Sequence, residues 1–110
     1  MSGPAPKPGS LEISSALSDG IVTVFLAGEL DLASAPRLEE QLASLEERQP
    51  PRIVIDLGGL AFIDSSGLRV LLLADSRARE RGYELVLLPG PEPVQRVFEM
   101  TGALDVLRFQ

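Results

Sequence analysis

Residues 52–67 read RIVIDLGGLAFIDSSG, and they decide the architecture. Arg52-Ile53-Val54-Ile55-Asp56-Leu57 is a short apolar, β-branched run of the kind buried on both faces, which predicts a central parallel strand between helices. Gly58-Gly59 is expected to break it. After Leu60-Ala61-Phe62-Ile63 comes Asp64, whose short carboxylate suits a helix N-cap, and the spacing beyond predicts a helix from about Ser65 to Arg81. Gly82 stands where a C-terminal cap belongs.

The flanks extend the same pattern. Upstream, Ala35, Leu38, Leu42 and Leu45 recur at helical spacing while Glu39, Glu40, Glu46, Glu47 and Arg48 take the other side, which predicts an amphipathic helix near 34–48. Pro36 suits its first turn and Pro50-Pro51 ends it. Before it, Leu11 and Ile13 and then Ile21 to Leu26 form two strand-like runs parted by Ser18-Asp19-Gly20, a hairpin turn signal. Downstream come a strand at Glu84–Leu88 and a Pro89-Gly90-Pro91 loop. A helix from Pro93 follows, carrying Val94, Val97, Phe98 and Thr101 on one face and closed by Gly102, and then a last short strand at Val106–Phe109. The order β-β-α-β-α-β-α-β implies an α/β fold, a mixed β-sheet opened by a hairpin, with helices mainly on one face. Residues 1–10, MSGPAPKPGS, lack the apolar content to offset their ordering entropy and are expected to be a flexible tail, leaving one domain at 11–110.

Composition narrows the chemistry. The 110 residues are 45% hydrophobic and 24% charged, values of a single globular domain. With neither Cys nor His, the chain has no disulfides, no thiolate or imidazole metal ligands and no imidazole acid–base chemistry. Sixteen acids against ten bases leave a net charge of -6, which repels phosphate backbones and anionic lipid, so neither nucleic acid nor membrane is an expected partner. The longest charge-free stretch, Gly20 to Gly28, is nine residues, about half a membrane span. The first ten residues lack the basic start and apolar core of a signal peptide, so a cytoplasmic location is expected.

Three segments have the residues for a site: Gly28-Glu29-Leu30-Asp31, Asp56-Leu57-Gly58-Gly59 and Asp64-Ser65-Ser66-Gly67. Each follows a strand or opens a helix, where open α/β sheets collect ligand sites. Taken alone, each also has a plain structural account as cap, turn or solvated charge. A phosphate on Ser65 would meet free backbone N–H groups and the positive end of the helix dipole, opposed by Asp64 and by Asp31 across the sheet end. Such a modification would alter a surface rather than refold the domain. The same helix is apolar on more than one side, with Leu68, Leu71, Leu72 and Ala78 forming a core stripe and Val70, Leu73 and Ala74 opposite. That second side reads equally as core or as a partner surface.

Enzymatic readings lack parts. No GK[ST] phosphate loop exists, the only lysine is Lys7, and Ser65 has no base nearby other than a carboxylate. A phosphoacceptor reading puts Asp56 at the end of the central strand with Asp31 or Asp64 holding magnesium, as in response-regulator receivers. It fails on the missing acidic pair after the first strand and on the missing late lysine, where only Arg96 and Arg108 stand. No cofactor and no resident metal are expected.

GELDLASAPRLEEQL, IVIDLGGLAFIDSSGLRVLL and PEPVQRVFEMTGALDVLRF, in this order and spacing, closely resemble the STAS domain of bacterial anti-sigma factor antagonists, from about Leu11 to Phe109. The resemblance implies that Ser65 is phosphorylated by an anti-sigma factor that is a serine kinase, and that Asp31 contributes to kinase recognition or reaction. It implies that the unphosphorylated chain binds the kinase and frees a sigma factor, and that a serine phosphatase resets the switch. Asp31, Asp64, Ser66 and Gly67 would flank the switch, and Glu29, Asp31, Ser65, Arg69, Val70 and Leu73 would meet the partner, with a monomer expected when free. Arg69 stands where many relatives have glycine, and the chain stops at Gln110 where many continue into another helix, so a truncated chain or a less covered sheet is expected. The alternative is a STAS module of a lipid-transport or stress-sensing assembly, or a binder of a small nucleotide.

These readings predict a chain with no enzymatic activity of its own. Incubated with magnesium and ATP, the purified protein should neither hydrolyse nucleotide nor label itself. Autophosphorylation would instead favour the receiver reading.

Overall fold

The computed structural model describes residues 10–110, so the tail expected over residues 1–10 lies, except for Ser10, outside the described residues. The elements are β1 (Leu11–Ser18), β2 (Ile21–Leu30), α1 (Ala35–Glu46), β3 (Arg52–Ile63), α2 (Ser65–Arg81), β4 (Glu84–Leu88), α3 (Glu92–Thr101) and a single 3-10 turn at Ala103–Asp105. The strands lie in the order β1-β2-β3-β4. β1 pairs antiparallel with β2 through the Asp19-Gly20 turn, and β2, β3 and β4 are parallel.

Alternation along the strands sends Val22, Val24 and Leu26 of β2, Ile53, Ile55 and Leu57 of β3, and Leu85 and Leu87 of β4 to one face. There they meet Leu38 and Leu42 of α1, Leu68 and Leu71 of α2, and Val94 and Phe98 of α3 in a single core. Each fully buried leucine contributes roughly 1.5–3 kcal/mol. Val54 and Val86, register partners of opposite parity, are buried on the other face, outside that core.

Two strands run further than their apolar runs suggest. β2 continues through Gly28 and Glu29 to Leu30, and β3 passes through Gly58-Gly59 instead of breaking there. The pairing absorbs the glycines as register shifts, one between Phe25 and Ala27 and another between Gly28 and Glu29. Gly28 has φ +107°, and a side chain there would collide with the Ser10 carbonyl, so glycine is required for the strand to carry on.

The last strand is a correction. Only Phe109 bridges Leu87, with Leu87 N–H donating to the Arg108 carbonyl at 2.8 Å and Gln110 N–H to the Leu87 carbonyl at 2.9 Å. Ahead of it, Val106 N–H and Leu107 N–H both donate to the Ala103 carbonyl, at 3.0 and 2.9 Å. This helical turn, pinned by buried Ala103 and Leu107, takes up the start of the segment expected to be a strand.

Glu46 is a second departure, because its helical spacing puts it on the solvent side of α1 and the structure buries it. Its carboxylate accepts Arg77 Nε at 2.9 and 3.1 Å and the Tyr83 hydroxyl at 2.8 Å, tying α1 to α2 and to the residue before β4. Burial, and then donation to Glu46, push the Tyr83 phenol well above its usual range. The unfolded chain therefore releases the phenolic proton first, so the stability tied to the neutral phenol is complete below about pH 10 and is lost as pH rises beyond it.

Tyr83 is the only tyrosine, so phenolate absorbance reports on it alone. The native protein should titrate at higher pH than the urea-unfolded chain, and the urea midpoint should fall above about pH 10 more steeply in the wild type than in Tyr83→Phe. Coincident native and unfolded titrations would refute the Glu46–Tyr83 link.

Candidate functional site

The site forms because β2 and β3 stay paired to their ends. Glu29 sits opposite Phe62 and Leu30 opposite Ile63, and Asp64 N–H then donates to the Leu30 carbonyl at 3.2 Å. Parallel strands leave the sheet on the same side, so Asp31 and Asp64, 33 positions apart in sequence, emerge as neighbours at one end of the sheet.

Asp64 is the N-cap of α2, as expected, with extended backbone at φ -118°. Its Oδ1 accepts Ser66 N–H at 2.9 Å and Gly67 N–H at 3.2 Å, while Oδ2 accepts Leu32 N–H at 3.2 Å. One carboxylate thus caps a helix and holds the neighbouring loop. Asp31 is buried, and its Oδ1 accepts from Ala33 N–H at 3.0 Å, Ser34 N–H at 3.1 Å and the Ser34 hydroxyl at 3.2 Å. Asp31 N–H in turn donates to Ser34 Oγ at 2.9 Å, and the Ser34 hydroxyl also lies 2.8 Å from the Glu29 carbonyl. Asp31 is therefore engaged in a reciprocal turn with Ser34, the fully buried N-cap residue of α1. Ser34 escaped the sequence reading, although the Asp-x-x-Ser spacing has the reciprocal form of a capping box.

Gly67 is required by packing. A Cβ at this position would stand 2.5 Å from Leu30 Cγ, so only glycine lets the first turn of α2 lie against the end of β2. Ser65, the first residue of α2, is exposed, whereas Ser66 is half-buried with its N–H bound to Asp64. The free backbone donors expected around Ser65 are reduced in number, since Asp64 already occupies those of Ser66 and Gly67. Beside this end of the sheet lies an open, largely apolar groove of about 600 Å³, lined by Glu29, Asp31, Leu32, Ala33, Phe62 and Asp64. Leu32 is 75% exposed and Phe62 47%. Both were missed because each reads as one more apolar residue in a run.

The apolar sides of α2 divide differently from the expectation. Val70 is only 8% exposed and Ala74 is fully buried, and both belong to the core. Val70 is therefore withdrawn from the partner-contacting residues; the helix lies deep enough between the sheet and α1 to bury that side. Arg69 is exposed, Leu73 is 44% exposed, and Leu72 is partly buried against the core. Glu29 is half-buried at the groove rim. Asp56 Oδ1 accepts Gly58 N–H at 2.8 Å, bracing the bulge. Among the described residues no cluster of three or more acidic residues is arranged to hold a metal ion, and no helix is long and apolar enough to cross a membrane.

The STAS domain model matches residues 12–110. BtrV of Bordetella bronchiseptica is 40% identical over 80% of this chain and 76% of its own length. The anti-sigma-B factor antagonist of Listeria monocytogenes is 35% identical over 92% of this chain and 88% of its own. The crystal structure of an anti-sigma factor antagonist from Mycobacterium paratuberculosis, 26% identical, aligns with a TM-score of 0.84 over 94% of this chain and 88% of that one.

The double duty of Asp64 is open to test by denaturation. Asp64→Ala should lower stability by about 1–2 kcal/mol through loss of the cap, while Asp64→Asn, which keeps an acceptor oxygen, should cost well under half as much. Urea unfolding of the three chains measures it, and an unchanged midpoint for Asp64→Ala would contradict the capping geometry.

Proposed function

The chain belongs to the STAS domain family, and we propose that it works as an anti-sigma factor antagonist, binding an anti-sigma factor kinase while Ser65 is unmodified and releasing it once Ser65 is phosphorylated. The observation that carries this reading is the placement of Ser65: exposed, at the first position of α2, directly after a cap residue held by three backbone N–H groups. A kinase needs a hydroxyl that it can reach and that does not move away. Ser66 offers neither property as well, being half-buried.

In the transfer, Ser65 Oγ attacks the γ-phosphorus of ATP bound on the kinase. A new P–O bond forms, the bond to the departing ADP breaks, and the hydroxyl proton passes to a base of the kinase. ATP and magnesium belong to the partner; this chain supplies the hydroxyl and the surface around it. That surface combines the Leu32 and Phe62 side chains, the acidic rim of Glu29, and Arg69 and Leu73 on the outer side of α2. Asp31 contributes by holding the Leu32–Ser34 loop, since its carboxylate oxygen is engaged with backbone donors. A separate serine phosphatase returns the hydroxyl, and the free chain acts in the cytoplasm as a monomer.

Phosphorylation adds roughly -1.5 to -2 charges at neutral pH to a surface that binds its partner with a neutral hydroxyl. The hydrated dianion must be desolvated or must face partner groups arranged for an alcohol. A mismatch of about 3 kcal/mol lowers affinity about a hundredfold.

Calorimetric titration into the cognate kinase tests this. Ser65→Ala should bind and resist phosphorylation, Ser65→Asp should bind poorly, and Ser66→Ala should remain a substrate, with phosphate mapped by mass spectrometry. Leu73→Asp should weaken binding by about 1–3 kcal/mol with little change in thermal stability. Phosphate on Ser66 with Ser65 unmodified, or equal affinity of the modified and unmodified forms, would overturn the proposal.

A further inference from the structure

Arg69 is the arginine that the fold leaves unemployed beside the switch. Arg52, Arg77, Arg79, Arg81, Arg96 and Arg108 all pair with carboxylates. Arg69 is exposed and, among the described residues, makes no hydrogen bond or ion pair, in a chain with sixteen acids to pair with. It stands four residues after Ser65 on α2, hence on the same face one turn on. Long helical side chains lean toward the N-terminus of their helix, so the surface that Arg69 sweeps is the one that Ser65 occupies. An anion followed by a cation four positions later is also the favourable order along a helix.

The surroundings of Ser65 leave a phosphate few other partners within this chain. Asp64 Oδ1 already accepts the N–H groups of Ser66 and Gly67, and Leu68 N–H donates to the Asp64 carbonyl at 3.0 Å. The donors that a helix start ordinarily offers to an anion are largely taken, and by a carboxylate that repels the newcomer. Glu29 and Asp31 add negative charge at the same sheet end. The phosphate thus gains most by turning along α2, away from the acidic groove and toward position 69.

We infer that Arg69 clamps the phosphate of phosphorylated Ser65 across one turn of α2. The planar guanidinium matches two phosphate oxygens at once, a geometry that a lysine ammonium does not reproduce. The clamp makes phosphorylation a double change of the docking face: a dianion appears at position 65, and the cation at position 69 is drawn out of reach of the partner. This inference rests on the reading of Ser65 as the modified residue, and its test is built to be independent of any kinase.

The full chain is prepared with phosphoserine incorporated at position 65 during translation, alone and with Arg69→Gln. Phosphorus NMR then follows the second ionisation of the phosphate, ordinarily near pH 6. The clamp predicts a midpoint lower in the wild-type background than in Arg69→Gln by about half a unit, about a threefold change in proton affinity. The Arg69 guanidinium N–H resonance should move between the unmodified and phosphorylated chains. Equal midpoints in the two phosphorylated chains, or an unmoved Arg69 resonance, would overturn the clamp. Because Arg69 is exposed and unpaired, the unphosphorylated wild type and the unphosphorylated Arg69→Gln should unfold at the same temperature, so a midpoint difference between the phosphorylated chains is not a folding artefact. Failure of the cognate kinase to label Ser65 would count against the proposed function and would leave the NMR result standing.

Discussion

The parallel pairing of β2 with β3, maintained to Leu30 and Ile63, is the constraint on which the rest depends. Had β2 ended with its apolar run at Leu26, Asp31 would sit on a loop of some length and its position relative to Asp64 would be undefined. The register shifts around Gly28 and Gly58-Gly59 let both strands continue past residues that ordinarily weaken a strand. Two chain segments then leave the sheet side by side, and each begins a helix almost at once. The packing of Gly67 against Leu30 is the last contact of this series, because it sets how closely the first turn of α2 approaches the end of β2.

Within that frame the two carboxylates are committed to backbone N–H groups. Asp64 uses both oxygens, one for the cap of α2 and one for Leu32, and Asp31 is closed into its turn with Ser34. Held this way, the two carboxylates make this end of the sheet rigid. A rigid end carrying an exposed hydroxyl and two exposed apolar side chains has the character of a recognition surface: polar groups satisfied, apolar groups offered. For the switch proposed at Ser65, the acidic residues nearby would serve by fixing the shape of what surrounds it.

Much of this was legible in the sequence, and the reasons differ by element. α2 was readable from Ser65 to Arg81 because its signals are local: an N-cap aspartate, helical periodicity and a C-terminal glycine, here at φ 82°. β4 was readable because a short apolar run between a glycine cap and a proline loop admits little else. The end of the chain was not, since Val106-Leu107-Arg108-Phe109 is a short, mostly apolar stretch that reads as a strand, and the preference for a helical turn comes from the burial of Ala103 and Leu107, which is a tertiary fact. Glu46 was hidden for the same reason. Its helical position faces outward only until Arg77 and Tyr83, 31 and 37 residues later, are brought to it. At the site, Asp64 and Ser65 stood out by motif, while Ser34, Leu32 and Phe62 acquire meaning only from the neighbour that parallel pairing supplies.

The division of α2 into two faces bears on how the proposed modification at its start would switch binding without unfolding the domain. Leu68, Val70, Leu71, Ala74 and Ala78 are buried in the core, so the helix is anchored along most of its length. Domains of this size are stable by about 5–15 kcal/mol, and the helix dipole contributes up to about 1 kcal/mol toward accommodating a phosphate at an exposed helix start, against the repulsion from Asp64. The same charge facing a complementary partner surface acts where nothing is in excess, because affinity is a small surplus over large costs of association and desolvation. A charge that the fold tolerates at little cost can therefore cost the complex about 3 kcal/mol, which is decisive for binding. The deeply packed face makes the helix a fixed platform, and under the proposed modification the exposed face, with Ser65, Arg69 and Leu73 along it, would carry the consequences of the charge.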